Sequence, residues 1–124
     1  MQAFVQTALD FEAAKTRVAA VVRKTPLTYS QTLSKKYGAH VYLKREDLQV
    51  VRSYKLRGAY NLMCALDQQA IFQGAVCASA GNHAQGFAYS CKVLGVKGVI
   101  FMPVITPKQK IKQTTMFGDG SVEI

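Results

Sequence analysis

Short apolar runs alternate with helix-like segments through the second half of the chain, and this alternation constrains the fold more than any other feature. The apolar runs lie at residues 74–78, 98–102 and 121–124, and helical patterns lie between them, at residues 82–94 and 106–118. Strands separated by helices form βαβ units, in which the strands are parallel and the crossovers right-handed. The pattern therefore predicts an α/β fold with an open, mostly parallel sheet built from βαβ units.

Capping residues and apolar spacing predict the remaining elements. Ser30 and Gly38 have the residue types of a helix cap and a helix end. Thr7 and Asp10 have the spacing of a capping box, and Thr106 before a proline predicts another helix start. The elements predicted in this way are a helix over 7–22, a strand over 27–29, a helix over 30–37 and a strand over 40–44. The runs at 74–78 and 98–102 are typical of strands buried on both faces.

The composition suits one modest domain. The chain has 124 residues, of which 49% are hydrophobic and 19% charged, a balance that argues against disorder. No apolar run is long enough to span a membrane, and the first residues lack the pattern of a signal peptide. The three cysteines, Cys64, Cys77 and Cys91, lack metal-binding spacing and are expected to be small buried apolar residues in a reducing cytoplasm. No metal site is predicted, and His40 is expected to lie at the surface.

The net charge of +9, from 16 basic and 7 acidic residues, raises nucleic acid as a partner. The basic residues are scattered, however, and the densest run, Lys108, Lys110 and Lys112, alternates along a predicted helix. Its members therefore face different directions, and no nucleic-acid motif accompanies them. A solvated surface is the favoured interpretation. A basic binding module without catalysis stays open as an alternative of another class.

Lys55 occupies an unusual place in the chain. Apolar residues follow it at helical spacing, at Leu56, Ala59, Tyr60, Met63 and Leu66. With Ser53 as the expected N-cap, Lys55 lies in the first turn of a helix, where the helix dipole and nearby Arg57 both favour a neutral amine over an ammonium. A neutral lysine amine is a nucleophile whose usual partner is a carbonyl group. A solvated surface lysine is the alternative.

A second constellation lies at residues 79–86, where a predicted strand leads into a helix. In open α/β sheets, ligands bind beyond the carboxyl ends of the strands, where such loops lie. Gly81 is expected to adopt a backbone conformation closed to other residues, so that loop N–H groups converge on an anion such as a carboxylate. Asn82 can hydrogen-bond a ligand or cap the helix, and His83 can contact a ligand or be a structural histidine with its hydrogen bonds satisfied. Gly86, inside the predicted helix, is expected to allow close packing against a neighbouring segment or a ligand.

These motifs together resemble the threonine dehydratases (threonine ammonia-lyases), a group of fold-type II pyridoxal-phosphate (PLP) enzymes related to the tryptophan synthase β subunit. The resemblance covers residues 14–124. It rests on Lys-Arg-Glu-Asp-Leu at 44–48, Ser-Tyr-Lys-Leu-Arg-Gly-Ala-Tyr at 53–60, Ser-Ala-Gly-Asn-His-Ala-Gln-Gly at 79–86, Phe-Met-Pro at 101–103 and Thr-Pro-Lys at 106–108.

The resemblance implies roles for particular residues. Lys55 would form a Schiff base with PLP and would later take the Cα proton of L-threonine, which is converted to 2-oxobutyrate and ammonia in the first step of isoleucine biosynthesis. Asn82 would hydrogen-bond the ring 3′-oxygen, and Tyr54 would pack near the cofactor. The substrate carboxylate would be held by residues of the second motif, namely Ser79, Gly81 and His83. Arg57 would have a structural role or would tune Lys55.

The resemblance also implies what is missing. Family members carry a glycine-rich loop for the cofactor phosphate, and many carry an isoleucine-sensing regulatory domain; neither pattern occurs in residues 1–124. We therefore expect the chain to be the N-terminal portion of a PLP-dependent catalytic domain, cytoplasmic and homo-oligomeric (dimer or tetramer) in its full-length form. Alone it should hold the cofactor poorly, turn over little or no substrate and expose apolar sheet edges. Serine dehydratase, serine racemase and other fold-type II enzymes are the alternatives within the group.

Overall fold

The computed structural model describes residues 10–124. Its helices are α1 (Phe11–Val18), α2 (Gln31–Tyr37), α3 (Lys55–Ala65), α4 (Gln68–Phe72), α5 (Asn82–Leu94) and α6 (Lys108–Gly118). Its strands are β1 (Leu27–Tyr29), β2 (Tyr42–Lys44), β3 (Ala75–Ala78), β4 (Gly98–Phe101) and β5 (Val122–Glu123). A short 3₁₀ turn, Glu46–Leu48, lies between β2 and α3.

The predicted parallel sheet is confirmed by strands β3, β4 and β5, which lie side by side in that order. Ala75 is opposite Gly98, and Gly98 is opposite Val122. Helix α5 connects β3 to β4, and α6 connects β4 to β5, so each connection is a helical crossover. Strands β1 and β2 form a separate antiparallel pair, with Leu27 opposite Lys44. The fold is therefore α/β.

Helix α5 forms the centre of the larger core. Its residues Phe87 and Cys91 are buried together with Ile100 of β4. Gly98 has no side chain at the point where α5 crosses the sheet, and a Cβ atom there would lie 2.7 Å from Cys91 Sγ and 2.8 Å from Phe87 Cε1. The missing side chain thus lets α5 lie directly on β4.

The prediction that both sheet faces are buried is wrong. Val76 is 67% exposed, Phe101 is 63% exposed, and Val99, the partner of Val76 in the sheet, is 36% exposed. Alternate residues of a strand point to opposite faces, so these side chains share the face that α5 does not cover. Among the described residues this face has no helix on it, which accounts for its exposure. The apolar surface that the sheet exposes is thus a face, whereas the sequence predicted exposed apolar edges.

The caps of α1 and α2 follow the sequence in part. Ser30 caps α2 by accepting a hydrogen bond from the Leu33 amide, and Gly38 ends the helix with φ +63°, as predicted. Asp10 caps α1 by accepting from the Ala13 amide at 2.8 Å. The predicted helix over 7–22 was too long, because α1 ends at Val18 and is followed by a turn. Thr7 lies outside the described residues.

Several smaller predictions needed correction. Thr106 does not cap α6, because its hydroxyl donates instead to the Pro103 carbonyl at 2.6 Å and α6 begins one residue later, after Pro107. Leu66 is exposed, since it follows the last residue of α3. Of the cysteines, Cys91 is buried as expected, whereas Cys64 and Cys77 are half-buried. His40 lies at the surface, and no helix in the described part of the chain is long and apolar enough to cross a membrane.

Candidate functional site

Lys55 is the first residue of α3, which confirms its predicted position. The prediction that Ser53 caps the helix is wrong. Tyr54 already has helical dihedral angles (φ −67°, ψ −12°), so the cap position falls one residue after Ser53. Ser53 is instead buried, and its hydroxyl has no hydrogen-bond partner among the described residues. Arg52 just before it has a φ of +57°, rare for a residue with a side chain, and its amide closes a turn on the Gln49 carbonyl ahead of the helix.

Tyr54 places an exposed aromatic ring beside the Lys55 amine. Tyr54 is 59% exposed, and Lys55 Nζ lies 4.9 Å from the centroid of its ring. A cation at this distance from a ring face is attracted to it. The same flat surface can stack on a planar ligand that approaches the amine.

Helix α5 approaches α3 at Lys55. Gly86 of α5 lies so close to the start of α3 that a Cβ atom there would be 3.1 Å from the carbonyl carbon and oxygen of Lys55 and from the Leu56 amide nitrogen. The expectation that Gly86 allows close packing is confirmed. Asn82 is four residues earlier and therefore lies on the same face of α5, about one helical turn away. The two sequence motifs are brought together at this crossing.

The loop before α5 is held by Ser79, whose hydroxyl accepts a hydrogen bond from the Gly81 amide at 3.3 Å. The predicted special conformation of Gly81 is wrong, because its φ of −129° and ψ of −152° are extended and open to other residues. Extended geometry is what a residue needs immediately before a helix. A Cβ atom on Gly81 would meet nothing within 4 Å, so the space above the loop is open.

Asn82 and His83 begin α5 and are both exposed. The helix cap is Gly81, so Asn82 does not cap the helix with its side chain. His83 is not a buried structural histidine. The first N–H groups of a helix have no partner within the helix, so this end of α5 offers donors to an anion.

Sequence reasoning missed the role of Glu46. Its carboxylate accepts two hydrogen bonds from Arg57, each 2.8 Å long, and one from the Thr25 hydroxyl at 2.5 Å. The Arg57 guanidinium holds the pKa of Glu46 at about 2, well below its ordinary value, against the opposing effect of burial. The carboxylate in turn raises the pKa of Arg57.

The signal for Glu46 was present in the sequence. The stretch at 44–48 stood out as part of a motif, yet nothing in its spacing showed that its glutamate reaches Arg57, eleven residues later. The pair depends on the 3₁₀ turn Glu46–Leu48, which folds the connection back toward α3. This structure supports the structural role that was one of two expectations for Arg57.

The arrangement offers a lysine amine, an aromatic surface, an amide and helix N–H groups in one region. An amine suits a ligand with a carbonyl group, and the ring of Tyr54 suits a planar one. The donors at the start of α5 suit a carboxylate. In the described part of the chain, no group of three or more His, Cys, Asp and Glu residues lies together as a metal would require.

Comparison with known proteins identifies the family to which the chain belongs. The sequence profile of the family described as "Pyridoxal-phosphate dependent enzyme" matches residues 18–124. The chain is 56% identical, over 115 residues, to the biosynthetic L-threonine dehydratase IlvA of Staphylococcus epidermidis. That match covers 93% of the chain and 27% of the relative, so the chain spans about a quarter of the length of that curated protein.

Solved structures share the fold. The processed form of threonine deaminase isoform 2 from Solanum lycopersicum matches with a TM-score of 0.80 and 40% identity, over 91% of the chain and 31% of that protein. Maize serine racemase matches with a TM-score of 0.84 and 31% identity, over 94% of the chain and 36% of that protein. Profile, sequence and structure agree, and the chain belongs to the family of pyridoxal-phosphate dependent enzymes.

Proposed function

We propose that residues 1–124 form the N-terminal portion of a PLP-dependent catalytic domain that deaminates L-threonine to 2-oxobutyrate and ammonia, the first step of isoleucine biosynthesis. The contact between Gly86 and the backbone of Lys55 carries this proposal, because it joins the reactive amine to the second motif. The 56% identity to a protein named as a biosynthetic threonine dehydratase supports the choice of substrate.

The residues present fit the carbonyl end and the ring of PLP. Lys55 supplies the amine for its aldehyde, Tyr54 an exposed ring beside that amine, and Asn82 an exposed amide on the face of α5 nearest Lys55. The donor chemistry therefore matches the group. We propose Lys55, Asn82 and Tyr54 as its ligands in this chain.

When bound, PLP would serve as an electron sink for the substrate, which makes the Cα proton more acidic and lets the electron pair left on Cα expel the β-hydroxyl. The part of Lys55 in the reaction is to hold the cofactor and, once displaced by the substrate amine, to accept the Cα proton on Nζ. Loss of this proton and of the β-hydroxyl, followed by hydrolysis, accounts for 2-oxobutyrate and ammonia as the products of threonine.

The start of α5 is proposed to hold the substrate carboxylate. The Ser79 hydroxyl uses an acceptor site for the Gly81 amide and keeps its own proton for a ligand. Gly81 leaves open space above the loop, and His83 is exposed at the helix start. Ser79, Gly81 and His83 are thus our proposed substrate contacts.

Serine chemistry is the second candidate, favoured by the match to maize serine racemase at a TM-score of 0.84. Serine dehydration yields pyruvate, and racemisation yields D-serine. The substrate therefore has to be identified by its product.

A chimera tests the proposal. The chain is exchanged for the corresponding segment of the Staphylococcus epidermidis enzyme, which supplies the rest of the domain. We expect 2-oxobutyrate from L-threonine and bound PLP absorbance, with 2-oxobutyrate lost in Lys55→Ala. Pyruvate or D-serine from serine as the favoured product would support the second candidate, and a chimera that binds PLP but is equally active without Lys55 would contradict both.

We also propose a cytoplasmic, homo-oligomeric full-length protein with an amino acid as substrate and no nucleic-acid partner. The free thiols of Cys64, Cys77 and Cys91 suit a reducing compartment. Lys108, Lys110 and Lys112 are all exposed on α6, as solvated side chains are. Gel filtration of the chimera in the presence and absence of DNA tests both the assembly and the partner.

A further inference from the structure

We propose that Glu46 is a positioning residue that sets the direction in which the Lys55 side chain leaves the first turn of α3. The proposal rests on the proposed function of Lys55. Glu46 would act by orienting Lys55 and would not contact the ligand itself.

The first turn of α3 lacks the usual local supports. No side chain caps the helix, and the hydroxyl of Ser53 is buried without a partner among the described residues. A helix start without a cap frays unless tertiary contacts hold it. The orientation of Lys55 must therefore come from contacts with other segments.

Arg57 provides such a contact. Its Nε and Nη2 atoms both bond to Glu46, at 2.8 Å each. A two-point contact between a planar guanidinium and a carboxylate fixes angle as well as distance. Residues two apart on a helix point about 200° away from each other, so Arg57 holds the helix on the side roughly opposite Lys55 and leaves the amine free.

Glu46 is itself held in place. The Thr25 hydroxyl donates to it, and Gln49 lies within hydrogen-bond distance of both of its oxygens, at 3.5 and 3.3 Å. Gln49 is buried and bonds to both backbone groups of Arg23, at 2.9 Å each. The network therefore connects three separate segments of chain, at 23–25, 46–49 and 55–57, and gives Arg57 a fixed anchor.

Gly86 supplies the second constraint on the same turn, through its contact with the Lys55 carbonyl. Two independent contacts within the first turn, at Lys55 and at Arg57, constrain both the position and the rotation of the helix start. Removal of the Glu46 contact leaves the turn held by Gly86 and by the buried Leu56 side chain, but loosens it on the side of Arg57.

The test compares Glu46→Gln with two controls. Asp47→Asn weakens the neighbouring ion pair between Asp47 and Arg45. That pair also has two hydrogen bonds but is exposed. Ile71→Ala destabilises the core away from Lys55. Each purified chain is incubated with PLP under conditions in which it is folded, reduced with borohydride and mapped by peptide mass spectrometry, which gives the share of label on Lys55.

We expect the Lys55 share to fall about tenfold in Glu46→Gln, because small misplacements of a reacting group have large effects on rate. Asp47→Asn and Ile71→Ala should keep the wild-type share. If Glu46→Gln does not fold, Thr25→Val, which removes one bond of the network, should lower the share about threefold.

Three results would overturn the proposal. If the share of label on Lys55 is unchanged in Glu46→Gln, or in Thr25→Val where that variant replaces it, Glu46 does not position Lys55. The proposed function of Lys55 would be unaffected by that result. An equal fall in Ile71→Ala would show that lost stability, rather than positioning, is responsible. A wild-type chain with no preference for Lys55 would instead remove the proposed function, and this inference with it.

Discussion

Gly86 of α5 touches the backbone of Lys55: a Cβ atom at position 86 would lie 3.1 Å from the carbonyl carbon and oxygen of Lys55. Because the neighbours are backbone atoms, they cannot move aside as a flexible side chain would. The contact sets how closely the helix that begins at Lys55 approaches the helix that begins at Asn82.

Gly86→Ala should therefore destabilise the chain. Alanine improves helix propensity by up to about 1 kcal/mol, but overpacking of this kind costs about 1–3 kcal/mol. We expect a net loss of about 1–2 kcal/mol in urea unfolding, together with a smaller share of PLP label on Lys55. The matched control is Gly58→Ala in α3, where a Cβ atom meets nothing within 4 Å and the change should stabilise. Equal effects of the two substitutions would contradict the role of the contact.

The ion pair of Glu46 predicts a dependence of stability on pH. Its folded pKa of about 2 lies below the ordinary value of 4.5, so its contribution is fully present above about pH 5 and is lost as the pH falls toward 2. The shift corresponds to a contribution on the order of 3 kcal/mol. Urea unfolding between pH 7 and pH 3 should show more than half of this loss in the wild type, because pH 3 still lies above the folded pKa, and a clearly smaller loss in Glu46→Gln. Parallel pH profiles for the two chains would show that Glu46 is not the source of this pH dependence.

Cys91 should be the least reactive of the three thiols. Its side chain is buried, and burial raises its pKa to about 11. At pH 8 the thiolate fraction is then on the order of 100-fold below that of an ordinary thiol. Iodoacetamide labelling followed by peptide mapping should find half-buried Cys64 modified well before Cys91, with the difference abolished in urea. Rapid native modification of Cys91 would show that the packing of α5 on Gly98 is wrong.

The open face of the parallel sheet should drive self-association of the chain. Val76, Val99 and Phe101 form a contiguous exposed apolar surface. Phe101→Ser should raise the monomer fraction in sedimentation velocity and lower the binding of an apolar dye. Phe72→Ser is the control, because Phe72 is 68% exposed on α4 rather than on the sheet. A similar response to both changes would mean that the sheet face has no special role.

Much of the fold follows from local patterns. Helix α5 was predicted with its observed bounds, since its apolar spacing is regular and Gly95 ends it with a φ of +67°. Helix α2 was predicted from Ser30 and Gly38 for the same reason. The parallel order of β3, β4 and β5 followed from the alternation of strands and helices.

Several of the failures share one physical cause, which is that tertiary contacts decide the outcome. Whether a strand is buried on one face or two depends on what covers it, as Val76 shows. The cap of α3 was misassigned because Ser53 is buried in the turn before the helix and Tyr54 takes the cap position. Glu46 and Arg57 meet across eleven residues, and no local pattern reports such a pair. The site motifs were found by residue type, but the Gly86 contact that joins them required the structure.

The most direct test of the central claim is to identify the lysine that binds PLP. The purified chain is incubated with PLP, reduced with borohydride and digested, and the labelled peptides are sequenced. We predict a long-wavelength absorbance band before reduction and label concentrated on Lys55 at the start of α3. Label spread evenly over the other exposed lysines, such as Lys108 and Lys110, would contradict the account.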